Sequence, residues 1–307
     1  MIKNIKIGLA LGSGAARGWA HIGVIKRLQA LGVEPDIVCG TSIGALVGAA
    51  YTAGNIDKLD AWVRQLDKLQ TARYFSINSS FKGFVNKDRL HRFLNEFVVS
   101  ADLLIEQMDK PFATVATDLQ TGREIWNTKG STLDAVWSSI SLPGLFPAIK
   151  HNDRWLIDGG LVNPVPVSVC RALGADVVIA VNLNSDIVGK HFQSSELEAD
   201  SEEEEQSLTG KITEMVTDYT NSLFGRDQAQ DSVPDLLDAI AASINITQDR
   251  ITRSRMAGDP PDIIISPRLS RIGLLEFYRA DEAIQEGNVS VDRHQRDFEH
   301  FLGIDLS

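Results

Sequence analysis

Short apolar runs alternate with amphipathic helical stretches in the first part of the chain. An apolar run at 6–11 leads into a glycine-rich turn, and apolar residues then recur at helical spacing from Ile22 to Leu31. A second apolar run at 37–39 is followed directly by a helix of small residues. This strand–helix–strand–helix order predicts an α/β protein with a mostly parallel central sheet covered by helices.

The same criteria predict further elements along the chain. Runs rich in Val, Ile and aromatic residues, bounded by turn residues, predict strands at 112–117, 124–127, 155–157, 177–181 and 262–265. Helical periodicity occurs at 162–173 after Pro164 and Pro166, at 236–256 and at the C-terminus. A loop with Pro and Gly is predicted at 138–147.

These elements predict one domain over residues 1–307, with a core at about 7–167. Residues 185–233 change to polar filler with an acidic run, which predicts a mobile acidic insertion. A C-terminal strand and helix extension follows at about 234–307.

Charge and cysteine content narrow the function classes. The chain has 41 acidic and 30 basic residues, and seven of the acidic ones lie at 192–210, where no base occurs. The rest is mildly acidic and lacks a basic cluster, so nucleic acid is not an expected partner. Cys39 and Cys170 lie in apolar surroundings and are predicted to be buried thiols. With no signal peptide and no uninterrupted membrane span, a cytoplasmic protein is expected.

The second apolar run ends in Gly40-Thr41-Ser42-Ile43-Gly44, where a strand becomes a helix. A nucleophile elbow requires this context, because its serine takes a strained backbone conformation on a sharp turn. Gly40 and Gly44, two residues either side, would let strand and helix pass closely. Ser42 would then lie at a helix N-terminus, which favours a developing negative charge. Gly40, Gly44 and Gly48 also fit a membrane-helix packing pattern, but the polar residues here disfavour a spanning helix.

The first strand runs into Gly12-Ser13-Gly14-Ala15-Ala16-Arg17-Gly18. A dinucleotide-binding fingerprint would have its third glycine at the position of Arg17. Its second strand would end in an acidic residue, whereas this one ends in Thr41-Ser42. Nucleotide binding is therefore not expected. The backbone N–H groups of this loop could instead form an oxyanion hole beside the elbow. A purely structural helix-starting turn is the alternative.

Ser42 needs a base. The six histidines are at 21, 91, 151, 191, 294 and 300, and none has a convincing catalytic context. A conventional triad with the order Ser, acid, His would use His294 or His300.

Asp158 is the stronger candidate base, because it ends a short apolar strand and is followed by Gly159 and Gly160. A carboxylate with an ordinary pKa near 4 needs a short hydrogen bond and a partly desolvated site to act on serine. Asp118 is the other candidate for the base. Alternatively, Asp158 has only a structural role as a turn residue in a hairpin.

These three motifs in this order (12–18, 40–44 and 158–160) resemble the patatin-like phospholipase family. The resemblance is closest to its bacterial RssA-type members, which are related to the catalytic domain of neuropathy target esterase. It covers essentially the whole chain and includes the stretches 138–144, 163–168, 173–181 and 256–263.

The resemblance implies a three-layer α/β/α fold of the patatin type with a central mostly parallel sheet. It implies a serine–aspartate dyad hydrolase of phospholipid, lysophospholipid or other acyl esters, active in lipid metabolism. Ser42 would be the nucleophile and Asp158 the general base. The oxyanion hole would be formed by the Gly12–Gly18 loop, with Gly12, Gly14, Ala15, Arg17 and Gly18 as candidates and the amides of Gly14 and Ala15 preferred. It implies no metal and no cofactor.

Three further expectations concern substrate and partners. Leu142, Leu145 and Phe146 either line an acyl channel or pack in the core. Because the net charge offers no attraction to anionic lipid, membrane contact would be apolar and transient. A non-catalytic regulatory or scaffold protein on the same fold, with the acidic segment as partner tail, is the alternative hypothesis. Neither the oligomeric state nor the physiological ester is predicted.

Overall fold

A computed structural model describes residues 5–75, 87–151, 153–187 and 236–303. The acidic run at 192–210 and His191, with most of the predicted insertion, lie outside these residues. The described strands are Ile7–Leu11 (β1), Ile37–Thr41 (β2), Phe112–Asp118 (β3), Glu124–Asn127 (β4), Ile149–His151 (β5), Arg154–Asp158 (β6), Val177–Val181 (β7) and Ile263–Ile265 (β8).

The described α-helices are Ala20–Ala30 (α1), Ile43–Thr52 (α2), Ile56–Val63 (α3), Lys68–Phe75 (α4), Lys87–Phe93 (α5), Thr132–Ile140 (α6), Val167–Ala172 (α7), Leu236–Gly258 (α8), Ala280–Asp292 (α9) and Gln295–Leu302 (α10). Short 3₁₀ segments lie at Ala15–Trp19, Ile105–Gln107 and Gly159–Leu161, and a π-helical turn at Leu94–Val98. Among these residues, none of the helices combines the length and apolar character needed to cross a bilayer.

All eight strands form one sheet in the order β5-β6-β3-β2-β1-β7-β8, with β4 also paired to β3. The strands from β3 through β2, β1 and β7 to β8 are parallel, whereas β4, β5 and β6 pair antiparallel. The predicted mostly parallel sheet is confirmed. Its register places Thr41 opposite Val115, and Ala116 opposite Asp158.

Apolar side chains of each central strand alternate between two clusters. Val38 belongs to the larger cluster, which includes α1, α2, α6 and α9, while Ile37 and Cys39 join a second cluster with α7. Because both faces are covered, every residue of β2 is buried. This arrangement is the predicted three-layer α/β/α fold. Cys39 and Cys170 are free and buried, as predicted.

One predicted loop boundary was wrong. The predicted loop at 138–147 begins in helix α6, which continues to Ile140. Leu133, Val136, Trp137 and Ile140 are all buried and follow the helical i, i+3, i+4, i+7 spacing. The Ser131 hydroxyl accepts from the Asp134 amide and caps the helix. The helix predicted within 162–173 follows Pro164 and Pro166, as expected, and is Val167–Ala172 (α7). The last strand is Ile263–Ile265 and lacks residue 262.

Substituting Gly44 should test how closely α2 crosses β1. A Cβ atom at Gly44 would lie 2.1 Å from the Leu11 carbonyl oxygen, whereas at Gly48 the nearest atoms are side-chain carbons at 3.2 Å. We expect Gly44→Ala to lower the free energy of unfolding by more than about 2 kcal/mol. The matched control Gly48→Ala, on the same helix, should change it by less than about 1 kcal/mol. Urea denaturation measures both, and equal losses would contradict the prediction.

Candidate active site

Ser42 lies between the end of β2 and the start of α2 with a strained backbone. Its φ of 57° and ψ of −125° place a non-glycine residue in a region that such residues rarely adopt. The Ser42 amide donates to the Ser139 hydroxyl (2.8 Å), which donates to the Val115 carbonyl (2.6 Å). Ser139 on α6 therefore supports the turn. It is not among the predicted site residues, although it lies within the stretch 138–144.

Asp158, at the end of β6, faces the Ser42 hydroxyl. Ser42 Oγ donates to Asp158 Oδ2 at 2.5 Å, and the Gly160 amide donates to Oδ1 at 2.6 Å. The carboxyl group is buried, and this burial raises the pKa of Asp158 from about 3.8 to about 6, against the opposing effect of its two hydrogen bonds. Such a carboxylate is a stronger base than an exposed one, and it is still ionised at neutral pH.

Asp118, the rival acid, has a different role. Its Oδ1 accepts from the amides of Gln120 (2.9 Å) and Thr121 (3.2 Å), so it stabilises the turn after β3. Within the described residues, no histidine forms a hydrogen bond with Ser42 or Asp158. His294 Nδ1 instead lies 2.8 Å from Asp297 Oδ2.

Two amides of the glycine-rich loop are available to a ligand. Those of Gly14 and Ala15 have no acceptor in the described part of the chain, and Ala15, the first residue of the 3₁₀ turn, has a φ of 48°. The loop's other amides before Gly18 already donate: Gly12 to Val181 O (3.1 Å), Ser13 to Pro164 O (2.8 Å), Ala16 to Leu274 O (3.1 Å) and Arg17 to Gly14 O (3.2 Å).

Gly18 brings the loop against the elbow. A Cβ atom at this position would lie 2.1 Å from Cγ1 of Ile43, the residue after Ser42. The contact explains why a glycine stands here: any side chain would separate the loop from the start of α2.

Arg17, within the loop, and His21, on α1, are both buried. Arg17 donates from Nε to Gly14 O (3.3 Å) and from Nη2 to Asn245 Oδ1 (2.7 Å), and it forms no ion pair within the described residues. Burial lowers the pKa of Arg17 to about 9, so the guanidinium is cationic at neutral pH. His21 Nε2 donates to Gly12 O at 2.8 Å, and burial lowers the pKa of His21 to about 4. His21 is therefore neutral.

An apolar cavity that opens to solvent borders Ser42 and Ala15. Leu142, Leu145 and Phe146 line it, as the channel hypothesis expects. Its other walls come from separate parts of the chain and were not predicted: Trp19, Ile43, Leu46, Leu90, Phe93, Ile140 and Phe277.

Sequence comparisons relate this chain to known proteins. The model of the family Patatin, described as patatin-like phospholipase, matches residues 9–171. The uncharacterized NTE family protein Rv1063c of Mycobacterium tuberculosis is 27% identical over 96% of this chain and 92% of its own length. Neuropathy target esterase sws of Drosophila melanogaster is 35% identical over 58% of this chain and 13% of its own. Lysophospholipase nte1 of Emericella nidulans is 29% identical over 92% of this chain and 17% of its own length.

Acid should destabilise the protein through His21. Between pH 6.5 and about 4 the unfolded chain binds a proton at this histidine that the folded protein does not, so the free energy of unfolding falls as the pH is lowered. His21→Gln retains an N–H donor for Gly12 O and should flatten that fall, as measured by urea denaturation at several pH values. The raised pKa of Asp158 acts in the opposite sense but is common to both proteins.

His300→Gln, at an exposed position of α10, is the matched control and should leave the slope unchanged. Equal slopes for wild type and His21→Gln would contradict the prediction.

Proposed function

The chain belongs to the patatin-like phospholipase family and is a hydrolase of lipid esters, and on this premise we propose that it acts through a serine–aspartate dyad. The observation that carries the proposal is the 2.5 Å hydrogen bond from Ser42 Oγ to buried Asp158 Oδ2. A strained serine backbone, two unoccupied loop amides and an apolar cavity beside the hydroxyl support it.

In the first step, Asp158 Oδ2 accepts the Ser42 proton while Ser42 Oγ forms a bond to the acyl carbonyl carbon. The carbonyl electron pair moves to oxygen, and the amides of Gly14 and Ala15 stabilise the resulting oxyanion. The buried Arg17 cation adds positive potential beside this loop. The amides of Gly12 and Arg17 already donate to other acceptors. The proposed oxyanion hole therefore uses fewer amides than the candidate residues named from the sequence.

The oxyanion then reforms the carbonyl, and the C–O bond to the leaving alcohol breaks. The alcohol takes the proton from Asp158, leaving an acyl ester on Ser42. In the second half, Asp158 removes a proton from water as it attacks the acyl carbonyl. The proton returns to Ser42 Oγ as the carboxylic acid leaves.

The substrate class follows from the cavity and the relatives. Its walls are apolar side chains, which suit a hydrocarbon chain better than a polar acyl group. One relative is named a lysophospholipase and another a neuropathy target esterase. We therefore propose a phospholipid or lysophospholipid as the ester, with the acyl chain in this cavity. Transient membrane contact and a cytoplasmic location stay predictions.

Removing either member of the dyad should abolish turnover. We expect Ser42→Ala and Asp158→Asn each to lower kcat/KM on p-nitrophenyl esters by about 10³-fold or more. Labelling by a fluorophosphonate probe should be lost in Ser42→Ala. Asp118→Asn is the matched acid control, and the double variant His294→Gln/His300→Gln tests the conventional triad.

Each outcome separates the alternatives. Full activity of Asp158→Asn would reject the dyad, and loss of activity in the double histidine variant would favour the triad. A wild-type protein that neither labels nor hydrolyses any acyl ester would favour the regulatory or scaffold hypothesis.

The pH dependence should report the ionisation of Asp158. The base must be deprotonated to accept the serine proton, so kcat/KM should rise with pH through a midpoint near 6, the raised pKa of Asp158. Initial rates at saturating and at limiting ester concentrations, between about pH 4.5 and 8, measure this pH dependence. Asp118→Asn is the control. A midpoint near 4, or a rate independent of pH in this range, would contradict the assignment.

A further inference from the structure

Helix α8 presents a buried polar face to the site. Asn245, Gln248, Asp249 and Thr252 are all buried, and their spacing places them on one side of the helix. Polar side chains are costly to bury unless they form hydrogen bonds. This helix lies beyond residues 9–171, the part of the chain that the family model matches.

Gln248 contacts both loops that form the site. Its Oε1 accepts from Ser13 Oγ and from Asn184 Nδ2, each at 3.0 Å. Its Nε2 lies against Gly160: a Cβ atom there would be 2.4 Å from Gln248 Nε2 and 3.0 Å from Asp158 Oδ1. One side chain therefore joins the glycine-rich loop to the turn that carries Asp158.

Asn245 acts on the same loop through Arg17. Asn245 Oδ1 accepts from Arg17 Nη2 at 2.7 Å, and Arg17 Nε donates to the Gly14 carbonyl at 3.3 Å. The Gly14 carbonyl and the Ala15 N–H belong to one planar trans peptide and point in opposite directions. Holding this carbonyl from one side therefore turns the Ala15 N–H to the other side.

The Ser13–Gly14 peptide is also held by a side-chain contact to its carbonyl group. Asn184 Nδ2, which Gln248 positions, lies 3.5 Å from the Ser13 carbonyl, the far limit of a hydrogen bond. That carbonyl shares its peptide with the Gly14 N–H. Each of the two unoccupied amides thus belongs to a peptide whose carbonyl contacts a side chain, and α8 positions both side chains.

We propose that Asn245 and Gln248 are positioning residues of the oxyanion hole, acting through Arg17 and Asn184 on the two peptides that carry the Gly14 and Ala15 N–H groups. This inference rests on the proposed hydrolase mechanism. It makes α8 part of the catalytic unit: the peptides are oriented before substrate binds, so they need no reorganisation when negative charge develops.

The test compares Gln248→Met and Asn245→Leu with Thr247→Val in the full-length protein. The first two keep side-chain volume and remove the hydrogen bonds, while Thr247 is exposed on the same helix. We expect kcat on a p-nitrophenyl ester to fall about tenfold for each buried variant, with KM changed less than about twofold, because the lost interaction acts on the transition state. The control should match wild type, and fluorophosphonate labelling should slow in parallel with kcat.

Gln248→Glu gives a readout that a merely structural role would not change. Its carboxylate keeps an acceptor for Ser13 and Asn184 but adds negative charge where Gln248 meets the Asp158 turn. A like charge disfavours ionisation of Asp158, so the acid limb of kcat/KM should move to higher pH than in wild type. This variant also serves if the other two fail to fold.

Unchanged kcat in folded Gln248→Met and Asn245→Leu would overturn the inference. The inference would also be overturned if the acid limb of kcat/KM in Gln248→Glu had the same midpoint pH as in wild type. In either case a wild-type enzyme that depends on Ser42 would leave the proposed function intact. If wild-type turnover did not depend on Ser42, both the proposed function and this inference would fail.

Discussion

The close passage of backbone segments around Ser42 is the constraint on which the rest of the structure depends. Gly44 contacts the Leu11 carbonyl, Gly18 contacts Ile43, and a Cβ atom at Gly159 would lie 2.1 Å from the Val115 carbonyl. Because these contacts leave no space for side chains, the first loop, the elbow and the Asp158 turn meet at one end of the sheet. The short Ser42–Asp158 hydrogen bond follows from that convergence.

Burial governs the electrostatics of this site. Asp158, Arg17 and His21 are all removed from solvent, and burial raises the pKa of the first and lowers those of the other two. At neutral pH this leaves a carboxylate, a guanidinium and a neutral imidazole around one loop. Buried polar groups are costly when unsatisfied, so the hydrogen bond that Arg17 donates to Asn245 Oδ1 and the one that His21 donates to Gly12 O contribute to the site's stability as well as its geometry.

The site is assembled from parts that are far apart in the chain. Ser139 on α6 supports the elbow, and α8 reaches the loop after β1. The apolar cavity has walls from both ends of the chain, including Trp19 and Phe277. The proposed acyl cavity and oxyanion hole are therefore properties of the packed helices, whereas the proposed nucleophile and base are held directly by strand ends.

The sequence by itself determined the fold class, most strand positions and the prominence of Ser42 and Asp158, because apolar runs and glycine spacing express local backbone requirements. The start of the loop predicted at 138–147 was wrong, because its Pro and Gly residues outweighed the helical spacing of the apolar residues in α6. Only the tertiary structure identified Asn245 and Gln248, which lie 228 and 235 residues from their partners Arg17 and Ser13. A buried Asn or Gln side chain on a helix produces no recognisable local sequence pattern, because its role depends on the distant group that it contacts.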